Sequence, residues 1–338
     1  MTDREHRLEA PHRRPQPGSN TFERAVVGGY KAFAWLISHL PPVIPRVVLA
    51  RGAQLSYILW PTKRRWSNAN FGHVLGLPPG HPHVRMTALA AYSEYGRYVV
   101  ELARLPALAR EHADELVRGA DLDGIHQIWD ESKGGLIFTL GHVGNAEAAA
   151  AGVASRGWPI SVVADDSSFP GLFEEFRRTR EQWGVHVIPW RNLREIFTVL
   201  RRREMLALLI DWGYRADGIP VKLFDAWTTL PAGPATLAAK TGSRILPITI
   251  HRNPDDRTFS IAWAAPISVP SAAPADLQRA TQAMADAFAT VVAAAPEQWY
   301  SFKPIWPATG AESAALEARA MVMLADGPVG GPATTDSA

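Results

Sequence analysis

The sequence predicts an α/β protein: a largely parallel central sheet flanked by helices and preceded by a helical amino-terminal part. Three observations lead there. After Lys133, short apolar runs alternate with helix-length segments, the pattern of strands and crossover helices. Before Lys133, apolar residues recur at helical spacing. The chain has 338 residues, 47% of them hydrophobic, enough for one large core.

Residues 1–20 are polar and rich in Pro, without periodicity, and are expected to form a disordered tail. From about Thr21 to Gly119 the pattern is helical. In "RMTALAAYSEYGRYVVELARLP", Met86, Leu89, Ala90, Tyr92, Tyr95, Val99 and Leu102 recur near helical spacing. Pro61, Pro78, Pro79 and Pro106 punctuate this part. The runs "GLIFTL", "ISVVA", "VHVIP", "MLALLI" and "RILPITI" follow as predicted strands. Phe173 to Trp183 and Ala232 to Thr241 are predicted helices between them. The expected organisation is a single domain over 21–309, helical to 119 and α/β from 120. Residues 310–338 are expected to be mostly tail, with room for one short Ala-rich helix.

Charge is informative locally. The net formal charge of +2 gives no argument for nucleic-acid binding. Between Phe22 and Trp66, however, seven cations stand against one acid, among Leu, Val, Ile, Trp and Tyr. Basic, apolar and aromatic residues together suit an anionic membrane surface, although a solvated helical face has the same composition. Lys31, His39, Pro41, Pro42 and Pro45 interrupt the apolar stretch, so no spanning helix is expected. The mixed-charge start lacks the layout of a signal peptide, and the expectation is a soluble or peripheral protein on the cytoplasmic side. The chain has no cysteine, which excludes disulfides, thiolate nucleophiles and Cys-based zinc sites.

In parallel sheets ligands gather at the carboxyl ends of the strands. That places "GHVGNAE", "ADDSSF" and "DWGYRAD" on one rim, each directly after an apolar run. His142 and Glu147, five positions apart, would lie about 140° apart on one regular helix. They meet only if His142 precedes the helix, as Gly141, Gly144 and Asn145 allow. A carboxylate on one ring nitrogen would leave the other free to take a proton from a hydroxyl. Alone, His-x₄-Glu is a weak signal, more often a histidine satisfied at a loop corner than a catalytic one. The glycines lack the third member of a dinucleotide turn, and "HPH" at 81–83 lacks zinc-ligand spacing.

The order of motifs resembles a family. "GHVGNAE" is similar to the H-x₄-D/E motif of the bacterial acyltransferases that acylate membrane glycolipids, including lipid A lauroyl and myristoyl acyltransferases and phosphatidylinositol mannoside acyltransferases. "FRRTREQWGVHVIP" resembles that family's arginine-then-glycine segment, with Arg180 and Gly184 matching. "LLIDWGYRADGIPVKLFDAWTTLPAGPATLAAKTGSRILPI" resembles its next block, with Asp211 ending a strand. "PEQWYSFKPIW" is similar to its closing P-E-x-W motif, and "RRWSNANFGHVLG" to its basic amino-terminal segment. The resemblance runs from about Val43 to Trp306. Glu147 follows the lipid A enzymes, since mannoside acyltransferases usually carry aspartate there.

The resemblance implies a sandwich of helices around a mixed sheet, a hydrophobic acyl groove, membrane-associating amino-terminal helices and a thioester donor. It implies an O-acyltransferase that takes a long acyl chain from acyl-CoA or acyl carrier protein to a hydroxyl of a glycolipid or phospholipid. No metal or redox cofactor is implied. In that scheme His142 is the general base and Glu147 orients it. Backbone N–H groups near Gly144 and Asn145 are candidates for the oxyanion. Arg180 would hold an anionic part of the donor, while Asp165 and Asp211 would bind acceptor hydroxyls or hold the site together. Two rivals remain: a thioesterase or esterase using water, and a lipid-binding protein without turnover. No G-x-S-x-G turn supports a serine hydrolase.

Overall fold

The computed structural model describes residues 21–107, 112–118, 121–166 and 169–326. The tail expected over residues 1–20 and the end of the chain after 326 lie outside them. Four helices come first: α1 (Thr21–His39), α2 (Val43–Leu59), α3 (Pro61–Leu75) and α4 (Pro82–Arg104). Prolines set the starts of α3 and α4, because Pro is tolerated in a first turn whose N–H groups have no partner. Pro61 and Pro82 open α3 and α4, and His81 Nδ1 accepts the His83 N–H at the start of α4. No helix among the described residues is long and apolar enough to cross a membrane.

The α/β part follows as β1 (Val117–Arg118), α5 (Leu122–Glu131), β2 (Leu136–Leu140), α6 (Ala146–Ser155), β3 (Ile160–Ala164), α7 (Pro170–Gln182), β4 (His186–Pro189), α8 (Leu193–Arg201) and β5 (Met205–Leu209). Then come the hairpin β6 (Ile219–Leu223) and β7 (Ala226–Leu230), α9 (Gly233–Thr241), β8 (Arg244–Arg252), β9 (Phe259–Trp263), α10 (Pro274–Ala294) and α11 (Gly310–Ala325). Seven strands form one sheet in the order β1-β9-β8-β2-β5-β3-β4, and β6-β7 stand apart. Only the β8–β9 pair is antiparallel within that sheet; its other pairings are parallel. The sheet is therefore mixed and mostly parallel, with helices against it.

All five predicted strands are present, as β2, β3, β4, β5 and β8. The fully buried pattern of β2 shows why its run is continuously apolar: both faces are covered. Three expectations change. The helical stretch drawn to Gly119 ends earlier, and Val117–Arg118 instead pairs with β9 at the sheet edge. The β6–β7 hairpin, which the apolar-run pattern did not single out, covers α10 through a Gln282 side chain that bonds both backbone groups of Lys222. The carboxyl-terminal segment carries a full helix, α11, where mostly tail was expected. A capping box between Thr309 and Glu312 starts α11, and buried Leu316 and Ala320 dock it.

Candidate active site

β2, β5 and β3 are neighbours and run in the same direction, so their carboxyl ends form one rim. His142 follows β2, Asp211 follows β5 and Asp165 follows β3. The register pairs Leu140 with Leu209, so His142 and Asp211 each stand two residues beyond paired positions. This is why residues 69 apart in sequence meet. The His142 Nδ1–H donates to Asp211 Oδ1 at 2.7 Å, and the His142 backbone N–H donates to Asp211 Oδ2 at 2.8 Å. The indole Nε1–H of Trp299 donates to the same Oδ2 at 2.9 Å. The Asp211 side chain is 1% exposed, so the carboxylate is fully committed to these donors. Burial alone would raise the Asp211 pKa, but the imidazole's charge and these hydrogen bonds hold it below its ordinary value. Burial alone would lower that of His142; the Asp211 charge and hydrogen bond outweigh it, and the ring titrates above its ordinary value.

The carboxylate bonded to the His142 ring is therefore Asp211, and the expectation that Glu147 orients the ring is corrected. Glu147 lies in the first turn of α6, where its carboxylate forms a two-point pair with Arg180 of α7: Nε to Oε2 at 2.8 Å and Nη2 to Oε1 at 2.5 Å. Its charge still reaches His142, as a weaker upward influence on the ring's pKa. Arg180 commits two of its five N–H groups to this pair.

One more assignment changes at the loop. Gly144 adopts the left-handed backbone region at φ +60°, and a Cβ there would sit 2.2 Å from the Ile250 carbonyl oxygen. Its N–H donates to the Gln298 carbonyl at 3.1 Å, so it is not available to an oxyanion. The Asn145 side chain is wholly buried and holds the loop in place. Its Oδ1 accepts the Ala148 N–H to cap α6, and its Nδ2–H donates to Glu101 at 2.9 Å. Gly141 is needed for a different reason: a Cβ would meet the Phe288 ring at 2.2 Å and Asp211 Oδ2 at 3.0 Å.

The Pro296–Tyr300 segment builds the wall behind the loop. Val143 bridges Trp299 in antiparallel fashion, and the Tyr300 N–H donates to the His142 carbonyl at 2.8 Å. The sequence reading quoted this segment yet missed Trp299 as a partner of Asp211. Lys303 carried no signal in the sequence, whereas Trp212, one of the tryptophans that could line a lipid groove, does line the cavity. The Trp212 ring stands edge-on to His142, centroids 5.5 Å apart, and the Lys303 Nζ lies 4.8 Å from the Trp212 ring centre. Aromatic residues beside a motif carry no signal of their own; only the fold brings them to the ring.

With Nδ1 committed to Asp211, His142 Nε2 is left for a ligand. His142, Glu147, Arg180 and Asp165 line one end of a cavity of about 420 Å³. The remainder is apolar, bounded by sheet residues such as Phe138, Leu209 and Ile248, with Phe173 of α7 opposite and Trp158 also in its wall. Polar groups gather at the rim of an otherwise greasy slot, the arrangement of a site that orients one reacting end of an apolar ligand.

A mostly parallel α/β frame with a carboxylate-backed histidine beside an apolar cavity is an arrangement able to take a proton from a hydroxyl or water. The sequence pattern of the bacterial lipid A biosynthesis acyltransferases matches residues 21–307, and the chain belongs to that family as an acyltransferase. The chain is similar to the phosphatidylinositol mannoside acyltransferase of Mycolicibacterium smegmatis, 28% identical over 283 residues, covering 82% of this chain and 90% of that protein. It is likewise similar to the phosphatidylinositol mannoside acyltransferases of two Mycobacterium tuberculosis strains, each 30% identical over 315 residues, covering 90% of this chain and 95% of theirs.

Proposed function

We propose that this acyltransferase moves a long acyl chain from a thioester, acyl-CoA or acyl carrier protein, to a hydroxyl of a membrane glycolipid, with a phosphatidylinositol mannoside as the leading acceptor class. The observation that carries the reading is His142, backed by buried Asp211, at the mouth of the apolar cavity. The names of the similar proteins favour the mannoside acceptor.

In this reading His142 Nε2 takes the acceptor hydroxyl's proton as its oxygen attacks the thioester carbonyl. The imidazolium that forms is stabilised by Asp211. The tetrahedral intermediate then collapses, the C–S bond breaks, and the proton passes from His142 to the leaving sulfur. Lys303, close enough to the imidazole to lower its pKa, supplies positive charge for the oxyanion. Glu147 fixes Arg180 at the rim, where the arginine's remaining donors meet an anionic part of the donor. Asp165, at the rim of the same cavity, meets acceptor hydroxyls. The acyl chain occupies the cavity.

The amino-terminal helices would rest on an anionic membrane. Trp35, Val43, Val47, Val48, Leu59 and Trp60 on or beside α1 and α2 are all exposed, amid the cations of residues 22–66. Each cation near such a surface contributes about 1 kcal/mol.

CoA thiol release from palmitoyl-CoA tests the reaction, with and without a membrane lipid extract, for wild type and His142→Ala. The protein has no cysteine and adds no thiol background. Release that needs both lipid and His142 is expected, together with an acylated lipid by mass spectrometry. Release indifferent to lipid would make the protein a thioesterase instead.

A further inference from the structure

A second cleft, of about 270 Å³, is lined by Ser38, Arg46, Glu101, Arg104, Asn145 and Arg257, among others. It shares the first turn of α6 with the catalytic cavity but takes different side chains: Asn145 and Ala148 border it, whereas Ala146, Glu147 and Ala149 border the catalytic cavity. Nothing in the acyl-transfer scheme uses it.

The cleft collects cations and neutralises few of them. Arg104 Nη1 donates to the Ile37 and Leu40 carbonyls at 2.8 and 3.0 Å, and Arg46 Nη2 donates to the Asp256 carbonyl at 2.6 Å. These contacts hold the guanidinium groups in place without cancelling their charge. The carboxylates nearby are claimed: Glu101 pairs with buried Arg252, Glu94 with Arg252 and Arg97, and Asp256 with Arg97. Arg46 stands 4.0 Å from Glu101. Among the described residues, no carboxylate pairs with Arg104 or Arg257 within the 4.0 Å limit of an ion pair. Burial pushes the Arg46 pKa down; Asp256 opposes that, while Arg252, Arg97 and Arg257 push it further down. Crowded guanidinium groups of this kind are matched by an oxyanion, whose oxygens accept forked N–H pairs.

The surroundings say which oxyanion. Ser38 and Arg46 flank the α1–α2 turn, and exposed Trp35, Leu36, Val43 and Val47 lie within a turn of them along the chain. A charged pocket beside an exposed apolar face suits an amphiphile. We propose that this cleft binds the phosphate of an anionic membrane phospholipid, with Arg104 and Arg257 on the phosphate oxygens and the tails leaving along α1 and α2. The proposal rests on the membrane reading of those helices and adds to it a defined headgroup site, separate from donor and acceptor.

The test uses the full chain and soluble probes: dihexanoyl phosphatidylglycerol below its micelle concentration, dihexanoyl phosphatidylcholine, inorganic phosphate and CoA, each followed by calorimetric titration. One phosphatidylglycerol per chain is expected, bound at least tenfold more tightly than phosphatidylcholine or phosphate and not displaced by CoA. Arg257 is exposed in the β8–β9 turn, so Arg257→Glu keeps the fold, with an unchanged thermal midpoint as its check. It should weaken phosphatidylglycerol binding tenfold or more, as should Arg104→Gln; His142→Ala should not. Equal affinity in Arg257→Glu would overturn the proposal, and so would phosphate binding as tightly as the lipid. Displacement by CoA would assign the cleft to the donor's phosphates. Sedimentation with phosphatidylglycerol vesicles reports the membrane reading separately. A wild type that binds the monomeric lipid but leaves vesicles in the supernatant would sink that reading and keep the cleft.

Discussion

At the scale of single residues, the site turns on which carboxylate serves His142. Asp211→Asn keeps the shape but removes the charge that holds the ring's pKa up, leaving burial to push it down. A general base must be neutral to accept a proton, so activity rises with pH through the His142 pKa and then levels. In Asp211→Asn that acid limb should move to lower pH, and kcat should fall about 10³–10⁴-fold, as when a histidine loses its orienting carboxylate. A pH–rate profile on both proteins checks this; an unmoved limb would remove Asp211 from the mechanism. Glu147→Gln should behave differently. It leaves the His142–Asp211 bond alone but strands Arg180, whose side chain is 15% exposed. Thermal unfolding should show a loss of roughly 3 kcal/mol, the usual penalty of breaking a largely buried pair. Because Glu147 is only a weak influence on the ring, the acid limb should shift by less than in Asp211→Asn.

At the scale of elements, α1 and α2 present a buried apolar face and an exposed one. Ile37, Ala50 and Tyr57 are buried, whereas Trp35 and Val47 are 63% and 54% exposed. Replacing the exposed pair, as Trp35→Glu with Val47→Glu, removes apolar surface and adds two repelling charges without touching the core. Binding to phosphatidylglycerol vesicles should fall at least tenfold, with the thermal midpoint within a degree or two of wild type. A protein that still sediments with vesicles would place the membrane contact on another face. The apolar-and-basic composition of these helices was plain in the sequence, because composition survives without knowing which residues face inward. The pairing of Val117–Arg118 with β9 was not legible, since two residues carry no periodicity and their partner is remote. The β6–β7 hairpin was hidden for a related reason: Pro220 and Lys222 in β6, and Thr228 and Thr229 in β7, break the continuous apolar runs that marked the other strands.

At the scale of the whole molecule, the strands and the shared rim followed from apolar runs that end in polar, glycine-containing loops. That placed His142, Asp165 and Asp211 on one edge of the sheet. The partner of His142 was a question of register. His-x₄-Glu invites pairing within one loop, but parallel β2 and β5 bring Asp211 level with His142, while Glu147 is carried onto α6 and over to α7. No local pattern encodes which strands become neighbours. The cavity has a consequence for folding itself. Phe138, Leu140, Val153 and Ile160 line it while belonging to one of the buried apolar clusters, so the cavity wall is continuous with the core. On the proposed reading, the acyl tail of the donor would fill this slot and add to the packing of that cluster. A ligand that binds only the folded chain adds about 2.7 kcal/mol at a hundred times its Kd. The thermal midpoint should therefore climb as the acyl-CoA chain lengthens, until the tail outgrows the slot, with CoA alone giving the smallest rise. A midpoint indifferent to chain length would mean the tail lodges elsewhere.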